Sequence, residues 1–184
     1  MLSVAKMPLD IDWTKRALAL PDSVRDELKS RLERLHPYFP EMKSHMKVGI
    51  TRSLEGLAFQ SDSGFVKLML EVRRTRNGTW RYPTYWTLAH ELMHLAQFNS
   101  HGIPSGERAC DVFALARMPP KYIDESPSYL VVPRGLRTKW LPRDARMAHD
   151  LAVEALEMRR KGLRRYASWW ENEFETRKVR ERSR

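Results

Sequence analysis

The chain has 184 residues, a formal net charge of +10, 42% hydrophobic residues and one cysteine. That hydrophobic share excludes a disordered chain, and the length suits one domain with an appendage. A lone cysteine excludes an intrachain disulfide and a multi-cysteine zinc site, while the basic balance speaks to partners such as nucleic acid or acidic surfaces rather than to fold.

The opening MLSVAKMPLDIDW lacks the unbroken apolar core of a secretory leader. No run approaches the roughly 18 apolar residues of a bilayer span, so the expectation is a cytoplasmic protein with no membrane partner. Trp13 to Leu20 reads as a short amphipathic stretch. Pro21-Asp22-Ser23 then opens a helix with Val24, Leu28, Leu32 and Leu35 on one face, closed before Pro37. Lys47 to Arg52 predicts a strand, and Leu54 to Gln60 either a second strand or a turn around Gly56. Gly64 to Arg74 is the clearest strand, because Val66, Leu68, Leu70 and Val72 alternate with Lys67, Met69, Glu71 and Arg73. Asn77-Gly78 signals a turn, after which Trp80-Arg81-Tyr82 pairs briefly.

Thr87 to Asp111 carries the chemistry. His90-Glu91-Leu92-Met93-His94 spells H-E-x-x-H within a stretch that Pro83-Thr84 starts and Gly102 stops. Histidines four apart on a helix point the same way and can share one zinc ion. Glu91 lies beside the first of them, where a carboxylate can take a proton from a metal-bound water. Ala89, Leu92, Met93 and Ala96 make the segment a half-buried helix. Ser105 is the expected N-cap of a second helix running from near Gly106 to Met118, with Cys110 a small buried residue within it. Glu107 and Asp111 share one face of that helix, after a link of 12 residues from His94. On the residues alone the third zinc ligand is open between Glu107, which has the longer reach, Asp111 and His101.

His90-Glu91-x-x-His94 followed by Glu107-x-x-x-Asp111 resembles the gluzincin metallopeptidases. The segment Glu107 to Pro119 is similar to the glutamate helix of ImmA/IrrE-type peptidases, and the small size is similar to the minigluzincins. The resemblance covers about residues 65–120. It implies an α+β, zincin-like fold, in which a small mixed sheet packs on the histidine helix and a following glutamate helix. It implies a zinc endopeptidase with His90, His94 and Glu107 as Zn2+ ligands, Glu91 as general base and Asp111 bracing the ring of His90. It also implies a peptide or protein substrate laid along an edge strand, and a downstream transition-state stabiliser, for which His149 stands in the right part of the chain.

Residues 121–141 read as an irregular segment whose Tyr122, Tyr129, Arg134 and Arg137 offer donors for an oxyanion. From Pro142 onward the chain reads as helix, so the expected division is a peptidase domain at 1–141 and a basic helical extension at 142–184. Residues 158–184 hold ten Lys or Arg against four Glu, a net of +6. Interleaved with Tyr166, Trp169 and Trp170, that charge suits nucleic-acid contact, a solvated helix face, or a segment covering the cleft. Two further readings stand beside the peptidase. One is a nucleic-acid-associated protein with a structural zinc site; the other is a DNA-linked regulatory peptidase of SprT or ImmA/IrrE type.

Overall fold

The computed structural model describes residues 9–51, 56–60 and 66–182. Arg52, Leu54 and Gly64, at the ends of predicted strands, lie outside them. The protein is α+β, and its contacts divide it into two compact units, Met1–His101 and Gly102–Arg184.

The first unit holds a four-stranded mixed sheet. Its strands are β1 (Asp10–Trp13), β2 (His45–Thr51), β3 (Gly56–Gln60) and β4 (Val66–Glu71), in the order β1-β2-β4-β3. β1 and β4 both run parallel to β2, whereas β3 lies antiparallel to β4 at the edge. The alternation read in the sequence for β4 holds: Val66, Leu68 and Leu70 are buried and the residues between them are not. β1 has no counterpart among the predicted strands. Its four residues carry two aspartates, and what holds it is non-local: Asp10 pairs with His45 at 2.8 Å and Asp12 with Lys47 at 3.2 Å, alongside the parallel ladder.

Among the described residues this unit also holds the α-helices α1 (Lys15–Leu18), α2 (Asp22–Leu35) and α3 (Tyr85–Asn99), with a 3-10 turn at His36–Tyr38. α2 buries Val24, Leu28, Leu32 and Leu35, the four positions its periodicity selects, and packs on α3. Each such leucine taken wholly out of water contributes about 1.5–3 kcal/mol. A two-stranded hairpin, β5 (Arg73–Arg74) and β6 (Trp80–Arg81), precedes α3, and its turn is closed by Gly78 at φ 85°.

The second unit consists of α4 (Glu107–Arg117), α5 (Arg134–Thr138), α6 (Pro142–Arg160) and α7 (Tyr166–Arg182), with one 3-10 turn at Pro120–Tyr122. Gly106, at φ 100°, takes the N-cap position of α4 that the sequence assigned to Ser105, and no side chain caps it. α6 starts with Pro142 at its first position, and Asp144 Oδ2 accepts from Leu141 N at 2.9 Å.

α6 packs along both α4 and α7, burying Ala145, Ala148, Leu151, Ala152 and Ala155. Trp170 of α7 stacks on Phe174 and donates its indole N–H to Ala148 O at 3.0 Å. The contacts divide the chain near 101/102, and residues 142–182 share a core with α4. Among the described residues no helix is long and apolar enough to cross a membrane.

Candidate active site

Thr84 starts α3 from an extended conformation, and its hydroxyl accepts from Thr87 N at 3.0 Å. From that start the helical repeat carries His90, Glu91 and His94 into a stretch where Leu88, Ala89, Leu92, Met93, Leu95 and Ala96 are all buried. The rings of His90 and His94 meet edge to face with centroids 4.8 Å apart, and their Nε2 atoms lie 3.1 Å from each other. Two nitrogens bound at 2.0–2.1 Å to one tetrahedral ion stand about 3.3 Å apart. The pair thus has the spacing of two ligands on a single metal ion.

His94 Nδ1 donates to Gln97 Oε1 at 3.0 Å. That bond keeps the proton on Nδ1 and turns the Nε2 lone pair toward His90, as an outer partner does for a ligating imidazole. Gln97 is absent from the sequence reading. Its spacing of three from His94 was the available signal, because such pairs are neighbours on a helix surface.

Glu91 is buried to 7% exposure. Its carboxylate lies against the backbone of β3: a Cβ on Gly56 would fall 2.5 Å from Glu91 Cγ and 2.7 Å from its Oε1. Only glycine leaves room for that approach. β3 is an edge strand, and among the described residues it pairs only with β4. The sequence left the edge unassigned; here it runs beside the glutamate of the motif. α3 continues unbroken to Asn99, so His101 lies beyond the helix and is exposed.

In the second unit Glu107 opens α4 and is exposed, while Cys110 and Asp111 are buried. Asp111 Oδ2 accepts from Tyr129 N at 2.8 Å and from Leu130 N at 3.1 Å, which anchors the long segment after α4. Arg137 donates to the carbonyls of Ser128 and Leu130 in the same segment. Tyr129 and Arg134 are exposed, and the Lys121 ammonium sits 4.9 Å from the centre of the Tyr122 ring. His149 is half-buried on α6 and donates from Nδ1 to Leu115 O at 2.9 Å, tying α6 to α4. Tyr166 and Trp170 are buried and Trp169 is half-buried, so the aromatic side chains of the basic tail serve mainly as core.

No protein-family model, curated protein or solved structure matches the chain. What the residues themselves define is a two-histidine half-site suited to one divalent cation, with a carboxylate one residue from the first ligand.

Proposed function

We propose that the protein is a zinc-dependent metallopeptidase of zincin-like fold, cutting peptide bonds by attack of a metal-activated water. The observation that carries this reading is the convergence of His90 and His94 Nε2 at 3.1 Å, on a helix whose Glu91 lies against an edge strand. Imidazole donors favour zinc among abundant divalent ions, and Gln97 holds His94 in the tautomer a ligand needs. The resemblance to gluzincins supplies Glu107 as third ligand and Asp111 as an outer partner.

Zinc, when bound, lowers the pKa of a coordinated water to about 7 and polarises the scissile carbonyl. Glu91 would hold the proton of the attacking water and pass it to the departing nitrogen, since one carboxylate can act first as base and then as acid. Its contact with Gly56 keeps the carboxylate beside β3, and an extended substrate adding to that edge by main-chain pairing would lie alongside it. A purely structural zinc site has no use for a carboxylate at position 91.

The test combines elemental analysis of the purified chain with cleavage of a quenched-fluorescent peptide library. Zinc near one per chain and cleavage abolished by 1,10-phenanthroline and restored by zinc are expected. Zinc without cleavage points to the structural site, and absence of any bound metal overturns the reading.

A further inference from the structure

Away from the histidines, the hairpin of β5 and β6 reads Arg73-Arg-Thr-Arg-Asn-Gly-Thr-Trp-Arg81, four arginines and a tryptophan without one carboxylate. Its register sets Arg73 opposite Arg81 and Arg74 opposite Trp80. Like charges directly across a two-stranded pair destabilise it, so setting Arg73 opposite Arg81 costs the hairpin stability. The turn that carries it is nonetheless well braced. Thr75 N donates to Thr79 O at 2.8 Å, Gly78 N to Thr75 O at 3.0 Å, and Arg74 Nε to Gly78 O at 3.1 Å.

Beside the hairpin opens a cleft of about 560 Å3, whose lining includes Arg16, Leu20, Glu71, Arg73, Arg74 and Trp80. Three arginines and one acidic residue, Glu71, line it, and Glu71 Oε1 is 3.5 Å from Arg73 Nε. Arg76 at the turn and Arg81 on β6 are both exposed and extend the positive charge along the hairpin.

We propose that this hairpin and cleft bind single-stranded nucleic acid, with one unpaired base against Trp80 and the flanking phosphates on Arg16, Arg73 and Arg74. The volume lies within the roughly 300–1,000 Å3 typical of ligand sites. Guanidinium groups match phosphate oxygens two at a time, and an indole face accepts any base. A duplex keeps its bases paired and stacked, so it cannot offer one to Trp80. An acidic peptide satisfies the arginines but leaves the indole without a planar partner. The inference is independent of the metal site: it rests on a different set of residues, and its test reads binding.

The test is fluorescence anisotropy with labelled oligothymidylate of about 15 nucleotides, titrated with the full chain over a series of salt concentrations. The competitors are unlabelled strand, a duplex of the same length and polyglutamate. Arg16→Glu with Arg73→Glu, both exposed, is expected to weaken binding at least tenfold and to lower the salt slope by about 1.4, the value for two lost single-strand phosphate contacts. Trp80→Ala is expected to weaken it roughly tenfold, while Trp80→Phe keeps most of the affinity because stacking survives. Should Trp80→Ala fail to fold by circular dichroism, the exposed arginine pair and Trp80→Phe still decide. The proposal is overturned if the wild-type chain does not bind the strand, or if the arginine variant binds as tightly as wild type. It is equally overturned if duplex or polyglutamate competes as well as unlabelled strand.

Discussion

Gly56 and Glu91 make the contact on which the proposed chemistry is most sensitive. Gly56→Ala would push a methyl group to 2.5 Å from Glu91 Cγ and displace the carboxylate. A shift of that kind lowers kcat by on the order of 10–100-fold, whereas zinc content, which depends on the histidines, should stay unchanged. Glu91→Gln removes the proton acceptor itself, and hydrolysis should fall by roughly 10²–10⁴ with zinc retained. An active Glu91→Gln protein contradicts the assignment. Gln97→Leu leaves both histidines in place but removes the hydrogen bond on His94 Nδ1. Competition with a chelating dye should then record zinc affinity about 10–100-fold weaker. By the same measurement Glu107→Ala should abolish tight binding and His101→Ala should do little.

At the scale of elements, α7 is a structural part of its unit rather than a detachable arm. Trp170 and Phe174 are fully buried, and Trp140 stacks on Phe174 at 5.9 Å. Trp170→Ala should therefore cost about 3–5 kcal/mol in urea unfolding. Its polar anchor is Lys178, 4% exposed, which donates to Asp144 at 2.7 Å and to Glu181 at 2.6 Å. Burial disfavours the ammonium, but the two hydrogen bonds and the charges of Asp144 and Glu181 outweigh it, and the pKa of Lys178 stands above its ordinary value. A raised pKa in the folded state stabilises the fold fully below the unfolded value of about 10.4 and fades as pH rises through the folded one. The unfolding midpoint should thus decline above about pH 10.4 through this group. In Lys178→Met that component of the decline should be missing, and the variant should be less stable at neutral pH by about 3–5 kcal/mol because Asp144 is left buried without its cation.

For the whole molecule, metal occupancy and stability are linked if the ion binds only the folded chain. Zinc at 100 times its dissociation constant would add about 2.7 kcal/mol, which is roughly 5–10 °C in a chain of this size. Differential scanning fluorimetry should register that shift on adding zinc and its loss with chelator. His90→Ala should not respond at all. A wild-type chain whose midpoint ignores both zinc and chelator argues against a metal site.

Features encoded over a few residues are legible in the chain alone. The apolar faces of α2 and β4 follow from spacings of three to four and of two, and each folds where its period places it. The meeting of His90 and His94 belongs to the same class, since residues four apart share one helix face. Tertiary structure decided the rest. β1 is a strand only because β2 lies beside it, and β3 is the edge only because β4 has β2 on its other side. Gly56 reads as an ambiguous turn residue until β3 is laid against Glu91, where the missing Cβ becomes a requirement. Tyr166 and Trp170 of α7 fit several surface roles in sequence and are core in the fold, because Phe113 of α4 and Ala148 of α6 meet them. The physical reason is common to all of these. A local pattern specifies that a face is apolar or a position small, and only the packing of distant segments specifies what it meets.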